Sequence, residues 1–149
     1  MTPVFVAAAD MNFKVRAATK DDCKEISRMI LELAVYEKMS DQVKISHEEL
    51  ERDGFSQNPF FECLVAEVPE EHKSREGNGI GKGLLSKVAE VGKSKQCVRL
   101  QLSVLNWNTP SRDFYAAKGA QDLTVSEGWH FIRFDGQNLD NLANEAPKD

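Results

Sequence analysis

Gly77-Asn78-Gly79-Ile80-Gly81-Lys82-Gly83 sets four glycines at alternate positions and runs directly into a stretch whose apolar residues are Leu84, Leu85, Val88 and Val91. That spacing predicts a helix beginning at the glycines. Without a Cβ, glycines let successive backbone N–H groups turn toward one point. A helix that starts there adds its own unpaired N–H groups and the positive end of its dipole. The physical reading is a cradle for a phosphate or pyrophosphate. A glycine-rich turn that binds nothing is the competing reading.

The spacing excludes two familiar cradles. A P-loop needs Gly-x-x-x-x-Gly-Lys-Ser/Thr, but counting back from Gly81-Lys82 puts Glu76 at the first glycine, and Gly83 replaces the hydroxyl residue. A dinucleotide fingerprint needs Gly-x-Gly-x-x-Gly, and from Gly77 or Gly79 the third glycine falls on Lys82 or Leu84. Nucleotide hydrolysis and dinucleotide redox chemistry both lose ground.

A chain of 149 residues with 41% hydrophobic residues is long enough for one domain with a core. Its formal net charge of −5 and the lack of a basic stripe argue against nucleic acid as a partner. A mild acidic balance favours cationic substrates. Cys23, Cys63 and Cys97 are odd in number and show no metal spacing, so reduced thiols fit better than a disulfide framework. No run is long and apolar enough to span a membrane. Residues 1–11 read as a disordered extension, with Met11 as an alternative start and the domain proper covering 12–149. His47, His72 and His130 show no ligand spacing, and no metal is expected.

Elsewhere, Phe13 to Ala17 and Phe61 to Glu67 read as strands. Thr19 ahead of Asp22 opens a helix whose buried stripe is Cys23, Ile26, Ile30 and Leu33, running to about Tyr36. Ser46 and Glu49 form a capping box for a short helix ending near Gly54. Val98, Leu100, Leu102 and Val104 alternate strictly with Arg99, Gln101 and Ser103, the clearest strand pattern in the chain. Asn108 or Thr109 caps a helix with Pro110 in its first turn and Gly119 at its end. Trp129 to Asp135 reads as a last strand, followed by a weak C-terminal helix. Strands and helices in this order predict an α/β sandwich around a mixed sheet.

Taken together, these pieces resemble the GNAT superfamily of acetyl-CoA-dependent N-acetyltransferases, and within it the diamine acetyltransferases of the spermidine/spermine and thialysine type. The resemblance is carried by Leu33-Ala34-Val35-Tyr36-Glu37, Asp53-Gly54-Phe55 with Asn58-Pro59-Phe60, and Cys63-Leu64-Val65-Ala66-Glu67. It continues through Gly77 to Gly83, Trp107-Asn108, Phe114-Tyr115 with Lys118-Gly119-Ala120, and Glu127-Gly128-Trp129. Lys38 to Ser46 and Lys87 to Val91 lean toward the thialysine type.

The resemblance implies acetyl-CoA as co-substrate, its pyrophosphate on the N–H groups of Gly77, Asn78, Gly79, Ile80, Gly81 and Lys82. Asn108, Thr109, Pro110 and Ser111 match further coenzyme A contacts, although Asn108 also reads simply as a helix cap. Tyr115 matches the tyrosine that protonates the leaving thiolate; by its own surroundings it reads as a helix tyrosine packed beside Phe114. Tyr36 and Glu37 match polyamine-contacting positions, and an aromatic ring beside a carboxylate suits an ammonium group. Gln101, Leu102 and Ser103 match backbone lining the acceptor channel. A cytoplasmic homodimer acting on a small cationic amine is the family expectation.

One departure is large. Relatives place two further strands and a loop between the counterpart of Glu71 and the glycine turn, carrying the acidic residue that helps deprotonate the amine. Here His72-Lys73-Ser74-Arg75-Glu76 leads straight into Gly77. The domain is therefore expected to be truncated internally between about 72 and 77, a GNAT-like mixed sheet flanked by helices and lacking about two central strands. Glu76 also stands where relatives have a basic or amide residue, with Arg75 one place out of register. Reduced or absent activity follows as an expectation, and a catalytically silent partner of an intact enzyme, paired as a heterodimer, is the alternative.

Overall fold

Apolar and polar residues alternate from Phe13, and the chain forms β1 over Lys14–Ala17. β1 pairs antiparallel with β2, Leu64–Glu67, in the register Lys14 to Glu67 and Ala17 to Leu64. The structure is a computed structural model that describes residues 13–73 and 79–148. The expected N-terminal extension 1–11, the truncation point between 72 and 77, and Arg75, Glu76, Gly77 and Asn78 lie, wholly or in part, outside the described residues.

Between the strands run two helices. A 3₁₀ turn at Lys20–Asp22 leads into α1, Cys23–Tyr36. The Thr19 N–H donates to Asp22 Oδ2 at 2.7 Å, the local bond that starts this segment. α2 spans His47–Gly54 and is opened by the expected capping box: Ser46 Oγ accepts from the Glu49 N–H at 3.2 Å, and Glu49 Oε2 accepts from the Ser46 N–H at 2.7 Å. α3, Ile80–Ser94, packs on both strands.

Arg16 binds these elements together. Its guanidinium holds Asp22 through two bonds of 2.8 and 3.0 Å and Glu67 on β2 at 2.6 Å. Those bonds hold the Asp22 carboxyl well below the usual carboxylate range, with the Thr19 N–H as the second cause. Among the described residues the buried core consists of Phe13, Cys23, Ala34 and Leu50.

The chain divides into two units, the first ending at Leu102 and the second covering Ser103–Asp149. The second contains α4, Thr109–Ala117, α5, Leu123–Glu127, and α6, Gly136–Asn144. α5 goes beyond the sequence reading. Asp122 caps it by accepting from the Thr124 and Val125 N–H groups, and Gly128 closes it at φ +73°.

Two strand expectations are corrected. Neither Val98–Leu105 nor Trp129–Asp135 forms a strand, and the described sheet is two-stranded and antiparallel rather than mixed. Alternation prepares one face of a strand, but a strand exists only when a neighbour accepts and donates its ladder of hydrogen bonds. Neither segment has such a neighbour among the described residues. Val98 is 91% exposed and Phe131 82% exposed. The α/β class itself stands.

Candidate active site

Gly79 is the N-cap of α3, with φ +69° and ψ 16°, a left-handed conformation that glycine adopts without a steric cost. The Gly83 N–H closes the first helical bond on the Gly79 carbonyl at 2.9 Å. The N–H groups of Ile80, Gly81 and Lys82 precede that bond and have no acceptor within the helix. Among the described residues, a Cβ built at Gly79 or Gly81 meets nothing within 4 Å.

Gly83 differs from its neighbours. A Cβ there would stand 2.6 Å from Phe13 Cε2 and Cζ, so the fourth glycine of the run serves the core and not the cradle. Sequence reasoning missed this division, because Phe13 lies far away along the chain. The free N–H groups of the first turn, the positive end of a fifteen-residue helix and the lack of any described atom within 4 Å of a Cβ at Gly79 or Gly81 suit an anionic group such as a diphosphate.

In the second unit, Asn108 Oδ1 accepts from the Ser111 N–H at 3.3 Å, and Thr109 begins α4. Pro110 occupies the first turn, where its missing N–H leaves no bond unmade. Ser111 and Tyr115, four residues apart, share one helix face. The Tyr115 ring packs edge-on against Phe114, with centroids 5.3 Å apart and planes at 67°. Its hydroxyl makes no hydrogen bond among the described residues. Both readings of this tyrosine, packing and proton donor, are therefore compatible with its position.

Tyr36 is the last residue of α1 and is 58% exposed, and Glu37 is the helix C-cap, its N–H donating to the Leu33 carbonyl at 2.9 Å. Ring and carboxylate thus stand together at one helix end. Gln101, Leu102 and Ser103 are exposed and belong to no strand, and the boundary between units falls after Leu102. These three residues therefore do not stand on the strand that the alternation predicted. Gly77 and Asn78 lie outside the described residues. No three His, Cys, Asp or Glu side chains converge as a metal site among the described residues, and no described helix is long and apolar enough to cross a membrane.

An open glycine turn before a helix packed on a β-sheet is the arrangement of an acyl-carrier-binding α/β enzyme. Residues 71–120 match the acetyltransferase (GNAT) family. Thialysine N-epsilon-acetyltransferase of Bos taurus is 43% identical over 165 residues, covering 88% of this chain and 97% of that protein. The same-named protein of Mus musculus is 41% identical over 164 residues, covering 87% of this chain and 96% of its own length. Spermidine/spermine N(1)-acetyltransferase-like protein 1 of Homo sapiens is 32% identical over 89% of this chain, which corresponds to 24% of that longer protein. Among solved structures, an integron cassette protein from the mobile metagenome of V. cholerae superposes with a TM-score of 0.65 at 20% identity, covering 91% of this chain and 99% of that one; it supports the fold alone. The chain belongs to the acetyltransferase (GNAT) family. It is an N-acetyltransferase of the diamine and thialysine type by kinship, and that family uses acetyl-CoA as co-substrate.

Proposed function

We propose that this chain acetylates a primary amine of thialysine, a diamine or a polyamine from acetyl-CoA, with turnover well below that of its relatives. The open turn at the start of α3 carries the reading. Bound acetyl-CoA supplies the acetyl group as a thioester. The N–H groups from Gly77 to Lys82 hold the diphosphate, and Asn108 to Ser111 make further contacts with the carrier. Tyr36 and Glu37 attract the cationic acceptor, and Gln101 to Ser103 lie along its approach. As the amine nitrogen bonds to the carbonyl carbon and the C–S bond breaks, the Tyr115 phenol donates a proton to the departing sulfur.

No residue is assigned as the base, so the amine's proton passes to water, and solvent reprotonates the Tyr115 phenolate. The Bos taurus relative aligns over 165 residues, whereas 88% of this 149-residue chain is about 131. About 34 positions of the relative thus have no counterpart here, which supports an internal truncation between about 72 and 77. Lost general-base catalysis lowers rates by roughly 10²–10⁴-fold. Isothermal titration with coenzyme A, alongside acetyl transfer to thialysine and spermidine, tests the reading. Coenzyme A binding with turnover at least about 100-fold below the Bos taurus protein is expected. No binding at all would overturn it.

The same gap favours a second reading, a silent subunit that pairs with an intact enzyme. A cytoplasmic location, supported by three unbridged cysteines, suits either role. Mixing the chain with an intact relative, then measuring subunit exchange and activity, separates the two readings.

A further inference from the structure

A cleft of about 870 Å³ opens within the first unit, and its lining includes Cys63 and Leu64 at the start of β2 together with Val98 and Leu100. Val88 and Val91 of α3 also line it. Next to it, β2 is hydrogen-bonded to β1 alone, so its second edge has no strand partner among the described residues. The lining segment from Val98 to Leu100 makes no backbone hydrogen bond among the described residues, although its side chains alternate as a strand's do. A backbone with unmade hydrogen bonds beside an apolar surface offers a template for another strand.

We infer that this cleft is a docking site for an extended segment of another polypeptide, one with alternating apolar residues flanked by carboxylates, which pairs with the Val98–Leu100 backbone. The inference rests on the proposed reading that about 34 residues are missing here, because a gap of that length leaves the walls of a sheet without its filling. Charge narrows the occupant. Lys95 is already paired with Glu62, whereas Lys93 and Arg99, which also line the cleft, have no ion pair among the described residues. Two exposed cations in the lining favour an acidic flank.

The probe is a synthetic peptide of the segment that the Bos taurus thialysine N-epsilon-acetyltransferase has and this chain lacks, titrated into the full chain and followed by amide NMR. Saturable binding is expected, with shifts at Cys63, Leu64 and Val98 to Leu100. A scrambled peptide should not bind. Leu100→Asp should weaken binding by about tenfold or more, since Leu100, 50% exposed in the free chain, would present a carboxylate to the peptide's apolar residues and acidic flanks. Val98→Asp, at a site 91% exposed and so harmless to the free fold, should do the same through charge. No binding, equal binding of the scrambled peptide, or binding indifferent to both substitutions would overturn the inference. Self-association that closes the cleft to the peptide would also overturn it. The functional reading fails separately: full turnover by the chain without peptide would end it, whatever the peptide does.

Discussion

Phe13 lies directly against Gly83, with the glycine's Cα hydrogens where a Cβ would come within 2.6 Å of ring atoms Cε2 and Cζ. Phe13 is 8% exposed and sits just before β1, so this contact seats α3 on the sheet. Gly83→Ala gains helix propensity of up to ~1 kcal/mol, but overpacking a buried ring costs ~1–3 kcal/mol. The expected net effect is a loss of about 1–2 kcal/mol, read by urea denaturation. In a Phe13→Leu background the same substitution should cost clearly less. Equal cost in both backgrounds would disprove the contact.

Gly81 gives the opposite expectation. It lies in the first turn of α3 with nothing within 4 Å of a built Cβ. Gly81→Ala should therefore stabilise the chain by about 0.5–1 kcal/mol. The added methyl nevertheless stands at the turn where a diphosphate would approach the N–H groups. Thermal melting should show the gain and isothermal titration a weaker coenzyme A complex. A variant that is both more stable and binds as tightly would move the cradle elsewhere.

Local chemistry was legible in the sequence, and pairing was not. Ser46 with Glu49, Asn108 with Pro110, and the helical spacing of α1 each carry their signal within a few residues, and each element formed where expected, although Leu33, expected in the buried stripe of α1, is 55% exposed while Ala34 is buried. α5 was equally readable from Asp122 and Gly128, a cap at each end of a short run, but its five residues carry too little periodicity. Val98 to Leu105 failed for a different reason. Its alternation records a face, whereas its strand character depends on a neighbour that no local pattern reports. Gly83 looked like part of a phosphate cradle because only the fold reveals Phe13 beneath it. Around the candidate site, the helix start at Gly79 and the cap at Asn108 form as local elements, while Gln101 to Ser103 are not in the strand that their alternation predicted.

The Arg16–Asp22 pair predicts a response to acid. Asp22 has a folded pKa depressed chiefly by its bonds from Arg16 and next by the Thr19 N–H. An unfolded aspartate titrates near ~3.9. Its contribution is complete above that value and is lost as pH falls from there toward the lower folded value, because the unfolded chain binds the proton first. Urea midpoints measured at neutral pH and near pH 3 should differ more for the parent chain than for Asp22→Asn. Parallel pH profiles would show that this pair contributes nothing.

Asn108 caps α4 through one side-chain oxygen, accepting from the Ser111 N–H. Asn108→Ala should cost about 1 kcal/mol, and Asn108→Ser, which can make the same bond, much less. Hydrogen exchange at the start of α4 is the direct readout. Protection should fall in the alanine variant and recover in the serine variant. If coenzyme A binding also falls in alanine and recovers in serine, the cap and the cofactor contact share one cause, the order of this helix start.

The three cysteines should react in a fixed order. A thiol attacks as its thiolate, so anything that raises its pKa slows it at neutral pH. Cys97 is exposed. Burial raises the Cys63 thiol, with Asp22 as a lesser cause, and Cys63 is only half-buried. Cys23 is 1% exposed, and its thiol is raised first by burial and then by the Glu51 carboxylate. Alkylation by iodoacetamide, followed by peptide mass spectrometry, should therefore run Cys97 before Cys63 before Cys23. In urea the three should converge, since desolvation disappears with the fold. Early labelling of Cys23 in the native protein would mean that the α1 face against α2 opens readily, and that the core around Phe13, Ala34 and Leu50 does not hold as described.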